Sequence, residues 1–216
     1  MINSDFKNIR EETMSYSVKN IPLECPAVVN YIENFMDEKD ATSLFDWCIK
    51  NLDFEDHKVK IYGKELLQPR KTCVVGTGKY SYSGLTLKGK PLPKEFESII
   101  DKIMLFLPEG HARLNTVLGN LYENGERYIS QHSDNEKNLI EGCSIVGLSL
   151  GAVRHFDLVA KEKRKDGSVE KHRIDLANGS LIIMGEGCQT YYKHGVPVQK
   201  KIKDPRINLT FRVTKE

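Results

Sequence analysis

Apolar and polar residues alternate through most of the second half of this chain, while two stretches of the first half repeat at helical spacing. In residues 40–52, Ala41, Leu44, Phe45, Cys48 and Ile49 fall on one face of a helix. In residues 94–107, Phe96, Ile99, Ile100, Ile103, Met104 and Leu107 do the same, with Pro93 near the start. Both stripes are one-sided, which predicts helices packed on something larger, with their Met and Phe side chains in the core. Between them, residues 57–62 read as a strand and Gly63-Lys64 as a turn. Gly76, Gly78 and Gly84 punctuate the next stretch. The run Tyr80-Ser81-Tyr82-Ser83-Gly84 is aromatic, small and flexible, which fits a binding loop and equally an ordinary connector.

From residue 112 the pattern is almost wholly β. Strands are predicted over 114–122, 127–131, 144–150, 154–161, 169–176, 181–185 and 206–213. Asn124-Gly125, Lys165-Asp166-Gly167 and Asn178-Gly179 supply turns between them. Short strands with frequent turns predict a sandwich or barrel, and the two helices make the class mainly β with flanking helices (α+β). Residues 1–26 are polar and aperiodic and contain Pro22 and Pro26; they read as a loosely attached arm before a single domain spanning 27–216.

Composition narrows this picture. A chain of 216 residues has room for one sizeable core. A hydrophobic fraction of 39% and a charged fraction of 29% fit a globular domain, and no apolar run approaches the roughly 18 residues of a membrane span. The opening Met-Ile-Asn-Ser-Asp-Phe-Lys has no apolar signal core, so no secretion is expected. The five cysteines are odd in number and no pair is spaced C-x-x-C, which argues against a disulfide framework or zinc site and for a reducing compartment. The net charge of +2 says little about partners, but Lys161-Glu162-Lys163-Arg164-Lys165 and Lys200-Lys201 with Lys203 form basic clusters. Each fits contact with phosphate, and each also fits a solvated turn.

The candidate chemistry lies among these strands. His132 and Asp134 are two residues apart, so an extended backbone puts them on one face. His194 follows 60 residues after Asp134, across several predicted strands. Two histidines and a carboxylate form the facial ligand set of non-haem iron(II), with open positions for co-substrate and dioxygen. Arg206, Asn208, Thr210 and Arg212 share one face of the last strand, opposite Ile207, Leu209 and Phe211. Two arginines on an inward face need anions: acidic neighbours would serve, and so would a dicarboxylate bound by charge-assisted hydrogen bonds. Asn120 and Tyr122, another i, i+2 pair, can extend the polar lining, although Tyr122 also fits a plain strand aromatic.

Asn120-Leu121-Tyr122, His132-Ser133-Asp134-Asn135-Glu136, His194 and Arg206-Ile207-Asn208-Leu209-Thr210-Phe211-Arg212 together resemble the AlkB family of iron(II)- and 2-oxoglutarate-dependent dioxygenases. The last string resembles that family's RxNxTxR signature. The resemblance runs from about residue 57 to the C-terminus and is nearest the eukaryotic branch that repairs double-stranded DNA. It implies a double-stranded β-helix (jelly roll) with N-terminal helices and a nucleotide-recognition hairpin lid at about 56–90. It implies iron(II) on His132, Asp134 and His194, with 2-oxoglutarate and dioxygen as co-substrates. Arg206 would hold the distal carboxylate of 2-oxoglutarate and Arg212 would support the one near the metal, assisted by Asn120, Tyr122, Asn208 and Thr210. Tyr82 and His132 would sandwich a damaged base and Glu136 would contact its polar edge. Arg70 and Ser83 belong to strings that match in order.

In the same branch an aromatic finger fills the gap left by a flipped base. Tyr62 would be that finger, although phenylalanine is frequent there. Lys200 and Lys201 match a basic loop that grips duplex, with Gln199 where a further basic residue is common. The activity implied is oxidative demethylation of 1-methyladenine and 3-methylcytosine lesions in DNA, with release of formaldehyde. Such a base must be flipped out or already single-stranded. The alternatives are RNA or single-stranded substrates, a 2-oxoglutarate oxygenase acting on something other than nucleic acid, and a binding module with a lapsed site. A monomer is expected, in the nucleus of a eukaryote or otherwise in the cytoplasm.

Overall fold

The structure is a computed structural model that describes residues 15–61, 64–76, 79–82 and 85–215. In chain order the elements are β1 (Val18–Asn20), β2 (Val29–Ile32), α1 (Glu38–Asn51), β3 (Glu55–Ile61), β4 (Lys64–Gly76), β5 (Lys79–Tyr82), β6 (Leu85–Lys88) and α2 (Lys94–Met104). They continue as β7 (Thr116–Tyr122), β8 (Ile129–His132), β9 (Ile145–Gly151), β10 (Arg154–Ala160), β11 (Lys171–Leu176), β12 (Leu181–Met184), a one-turn α3 (Cys188–Tyr191), β13 (Tyr192–Val196) and β14 (Arg206–Arg212).

Eight strands form a large sheet in the order β1-β2-β12-β9-β14-β7-β4-β3, and four form a smaller one, β11-β10-β13-β8. One face of the large sheet is covered by the helices. Ile207, Leu209 and Phe211 of β14 are fully buried with Phe96, Ile100 and Ile103 of α2 and with Ala41 and Cys48 of α1. Each such Ile, Leu or Phe side chain contributes about 1.5–3 kcal/mol by leaving water. The other face meets the small sheet: Val29, Tyr31, Ile145, Ile182 and Met184 pack with Phe156, Leu158, Ile174 and Tyr192. This is the expected jelly roll, and the period-two alternation of β14 decides which side chains look into it.

The helix ends follow local chemistry. Asp37 caps α1 by accepting from the Asp40 backbone N–H at 2.8 Å. The apolar stripe predicted to run to residue 107 leaves the α-helix after Met104; Phe106 and Leu107 donate to Ile103 and Met104, three residues back, and Pro108 follows. The shorter bonds tighten the last turn and the proline ends it.

Part of the stretch read as an arm over residues 1–26 is built into the sheet. β1 pairs with β2 and β2 with β12, so residues 18–20 belong to the large sheet. Ile21 is buried, and the backbone N–H groups of Glu24 and Cys25 donate to Glu170 and to the Tyr192 hydroxyl. Val18, Lys19 and Asn20 are all exposed, so this edge strand carries no alternation to read. Residues 1–14 lie outside the described residues. No helix among the described residues is long and apolar enough to cross a membrane.

Candidate functional site

Strand pairing brings the metal-type side chains together. β8 and β13 are antiparallel neighbours with His132 opposite His194, and the two imidazole centroids are 4.4 Å apart. Asp134 lies two residues beyond the end of β8. One ligand atom from each of His132, Asp134 and His194 lies within 4.8 Å of the others. His132 Nε2 is 3.5 Å from Asp134 Oδ1, and His194 Nε2 is 3.7 Å from Asp134 Oδ2.

The surroundings prepare these atoms to bind a cation. His132 Nδ1 lies 2.9 Å from the Ser130 carbonyl. A carbonyl accepts only from N–H, so Nδ1 carries a proton and Nε2 is the nitrogen turned toward Asp134. Burial pushes the His194 imidazole down to about 4, so it is neutral at physiological pH. Burial opposes ionisation of Asp134, but the neighbouring His132 imidazole and the Arg70 guanidinium hold its carboxyl below the ordinary range. Asp134 Oδ2 is buried without a hydrogen-bond partner among the described residues. A buried carboxylate oxygen with an open lone pair, facing two imidazoles, fits a divalent cation.

The neighbouring wall is β14. Arg206, Asn208, Thr210 and Arg212 line the same cavity as the triad, together with Asn120, Tyr122, Arg70 and Glu136. Its volume is about 430 Å³. Arg212 bridges two carboxylates, with Nη2 3.1 Å from Asp134 Oδ1 and Nη1 2.9 Å from Glu136 Oε1. Burial and the Asp134 charge push Glu136 up to about 7.

Arg206 is different. Its Nη2 donates to Ser149 Oγ and to Asn208 Oδ1, both at 2.9 Å, and Asn208 passes the chain on to Thr210 Oγ1. Its Nε and Nη1 are buried without hydrogen-bond partners among the described residues. Burial pushes this guanidinium down to about 10, which still leaves it charged at neutral pH. A buried cation with two unused donors beside a cavity is costly unless an anion fills it. Gly147, opposite Thr210, leaves the cavity wall without a side chain there: a Cβ would come within 3.1 Å of Ile182 and 3.4 Å of Asn208 Oδ1. The residues therefore fit both the cation and an anionic co-substrate.

The family model described as the 2OG-Fe(II) oxygenase superfamily matches residues 28–212, the span that carries both constellations. The chain belongs to that superfamily. It is 38% identical over 160 residues to DNA oxidative demethylase ALKBH2 of Bos taurus, covering 72% of this chain and 56% of the relative. Alpha-ketoglutarate-dependent dioxygenase alkB homolog 3 of Bos taurus is 32% identical over 184 residues, 82% of this chain and 63% of that one. DNA oxidative demethylase ALKBH2 of Arabidopsis thaliana is 29% identical over 221 residues, covering 91% and 69%. These relatives are of the AlkB group, as the sequence motifs indicate. The chain spans 56–66% of the length of the mammalian ALKBH2 relatives it matches. The solved structure of OsALKBH1 superposes with a TM-score of 0.62 over 90% of this chain and 99% of that one, at 19% identity, which shows a shared fold.

The remaining residues expected of such an oxygenase are spread more widely. Arg70 is buried on β4 and its Nε donates to Asn120 Oδ1 at 2.7 Å, beside the triad. Lys200 and Lys201 are exposed on the loop after β13, outside the cavity. The backbone of Tyr82 ends β5, in a separate two-stranded ribbon with β6. Tyr62 and Ser83 lie outside the described residues. Three supporting residues escaped the sequence reading. Ser149 holds Arg206. Gln189, on α3, accepts from the Asp134 backbone N–H through Oε1 at 2.9 Å and so fixes that ligand's loop. Arg154 is buried to 1% exposure, though it reads as an ordinary first residue of a strand. None of the three belongs to a recognisable spacing; only the folded register reveals them.

Proposed function

We propose that this chain is an oxidative demethylase of N-methylated bases in DNA, using iron(II), 2-oxoglutarate and dioxygen. The observation that carries the reading is one cavity holding both the His132–Asp134–His194 cluster and the two unused donors of Arg206. Likeness to proteins named DNA oxidative demethylase supports the choice of substrate. The reading takes residues 27–216 as one oxygenase domain, with a recognition lid at about residues 56–90. It expects a monomer that acts where the DNA is, in the nucleus of a eukaryote or otherwise in the cytoplasm.

In this reading His132, Asp134 and His194 hold the metal, and Arg212 and Gln189 keep Asp134 in place. Arg206 takes the far carboxylate of 2-oxoglutarate, with Asn120, Tyr122, Asn208 and Thr210 completing the polar wall. When bound, iron with 2-oxoglutarate and dioxygen supplies the oxidant that hydroxylates an N-methyl carbon, whose product sheds formaldehyde. Glu136, made easier to protonate by burial, is placed to exchange a hydrogen bond with the polar edge of a base. Arg70 closes the side between the lid strand and Asn120. Lys200 and Lys201 face the phosphates, and Tyr62 and Tyr82 stack on bases.

The test is formaldehyde release from 1-methyladenine and 3-methylcytosine oligonucleotides, as single- and double-stranded DNA and as RNA, with iron(II), 2-oxoglutarate and ascorbate. Release from DNA is the expected result. Succinate formation without formaldehyde from any oligonucleotide would keep the oxygenase and remove the nucleic-acid substrate. Release from RNA alone would move the substrate to RNA.

A further inference from the structure

Among the described residues, the two largest fully buried side chains are both arginines, Arg154 and Arg206. Arg206 faces the cavity, whereas every hydrogen bond of Arg154 goes to a neutral acceptor on a loop. Its Nη1 donates to the Asn124 carbonyl at 3.0 Å. Its Nη2 donates to the Arg127 carbonyl at 2.8 Å and the Pro197 carbonyl at 2.7 Å. Its Nε donates to Gln199 Oε1 at 3.1 Å. Burying a guanidinium on neutral partners costs free energy that an apolar side chain would not. The arrangement is explained if the fork of donors does something a hydrophobe cannot.

What it does is fasten two loops to one strand. The turn after β7 and the basic loop after β13 already meet, with Gly125 N–H donating to the Ile202 carbonyl and Gln199 N–H to the Gly125 carbonyl. The approach is so close that a Cβ on Gly125 would lie 1.9 Å from the Gln199 carbonyl oxygen. Arg154 bonds both loops at once. The Gln199 side chain is turned inward, where its Oε1 also accepts from the His155 N–H at 2.8 Å. The same arginine lies 5.7 Å from the centroid of Tyr122, over whose ring Arg206 lies at 5.4 Å. Tyr122 is buried and immediately precedes the fastened turn.

We propose that Arg154 is a positioning residue for the co-substrate site: by clamping the Asn124–Arg127 turn and the Pro197–Gln199 loop it fixes Tyr122, and through Tyr122 the Arg206 guanidinium. The proposal rests on the reading that Arg206 receives 2-oxoglutarate. It also gives Gln199 a role in the clamp and leaves phosphate contact in that loop to its lysines. Removing the fork would unpair the Asn124, Arg127 and Pro197 carbonyls and open space beside Tyr122. The metal ligands, which Arg154 does not touch, would stay as they are.

The experiment compares wild type with Arg154→Met and Arg154→Lys. Succinate formation gives KM for 2-oxoglutarate and kcat, and calorimetry with manganese(II) gives metal affinity. KM should rise about tenfold in Arg154→Met, the scale of losing an outer-shell partner. It should rise about threefold or more in Arg154→Lys, because one ammonium cannot serve three carbonyls in a fork. In both, manganese(II) affinity should stay within about twofold, since the sites share no partner. Amide exchange at Gly125, Gln199 and Ile202 should accelerate. Should Arg154→Met fail to fold, Arg154→Lys retains charge and length and decides the matter. A purely structural role would lower active protein, and so apparent kcat, and leave KM untouched; that result overturns the proposal. An unchanged KM in Arg154→Lys overturns it too. Wild type that binds manganese(II) but not 2-oxoglutarate refutes the underlying co-substrate reading instead, and the clamp's role at that site falls with it.

Discussion

The β14 wall of the cavity, proposed to take the co-substrate, and the β3–β4 ribbon, proposed as its lid, are held in different ways. β14 is paired along its whole length with β7 on one side and from Arg206 to Phe211 with β9 on the other. Its side chains are buried or nearly so, Arg206 to 1% exposure. The lid end of β4 is paired with β3 alone: Lys71 to Gly76 pair with β7, while Lys64 to Leu67 run on past it. There Leu66 and Leu67 are 48% and 56% exposed although they line the same cavity. The β3–β4 register also slips between Asp56 and Lys58, and Pro69, which has no N–H, sits in β4 near that break. A wall ordered from both sides costs little further entropy when a ligand binds, which suits chemistry that needs fixed geometry. A two-stranded ribbon opens at lower free energy, which would suit the proposed admission of a flipped base.

The widest separation between the two regions should come from the side chains proposed as metal ligands. His132→Ala or Asp134→Ala is expected to lower succinate formation by about a thousandfold or more, because metal chemistry supplies several kcal/mol to the reaction. The loss should be the same with or without oligonucleotide. Succinate production like wild type in either variant would end the assignment of the triad.

A smaller effect is expected one step along the same wall. Arg206→Met replaces a buried cation with an apolar chain, so it leaves no unpaired charge behind. Lost charge-assisted hydrogen bonds of about 1.5–3 kcal/mol predict a rise in KM for 2-oxoglutarate of about ten- to a hundredfold. Raising 2-oxoglutarate should restore turnover, as it would not for Asp134→Ala. A KM that stays put would mean that the Nε and Nη1 donors serve something other than the co-substrate.

These two regions also differ in how far they could be read from the sequence. β14 was legible because period-two alternation states both faces at once: Ile207, Leu209 and Phe211 go to the helices, and Arg206, Asn208, Thr210 and Arg212 go to the cavity. His132 and Asp134 were legible for the same reason. Neither the pairing of β8 with β13, which sets His194 opposite His132, nor the full length of β4 has a local signal, since register between distant strands is a tertiary outcome. Arg154 is the sharpest case. Buried arginines are rare and nothing around it marks it as one, because its acceptors, three backbone carbonyls and the Gln199 side chain, come from two loops distant in the chain. The inward turn of the Gln199 side chain is likewise visible only once that partner is known.

On the lid, Tyr62→Ala is expected to slow repair of duplex by about five- to tenfold and of single strands much less, the scale of one base–aromatic stack. Leu67→Ser should move in the same direction with a smaller change, because a half-exposed leucine has only part of its transfer free energy to lose. Succinate formation without oligonucleotide should be untouched in both. Equal loss on single and double strands would remove the finger role from Tyr62 and leave the lid as a general cover.

The smallest effect separates the clamp from the surface it supports. Lys200 and Lys201 are exposed and follow Gln199, whose side chain points inward to Arg154. If the lysines meet phosphates of a duplex, each contributes through released counterions, so the slope of log affinity against log salt should become shallower by about 0.9 for each one removed. The pair Lys200→Ala and Lys201→Ala should therefore change the slope by nearly two while altering affinity only modestly at low salt. KM for 2-oxoglutarate should not move, since neither side chain bonds the clamp. A slope unchanged from wild type would make them solvated lysines on a loop whose work is structural, and phosphate contact would then fall to the other basic cluster, Lys161 to Lys165, on the β10–β11 hairpin. The same slope measured in Arg154→Lys completes the comparison: a loop that is merely loosened keeps its lysines, so its salt dependence should stay near wild type even as 2-oxoglutarate binding weakens.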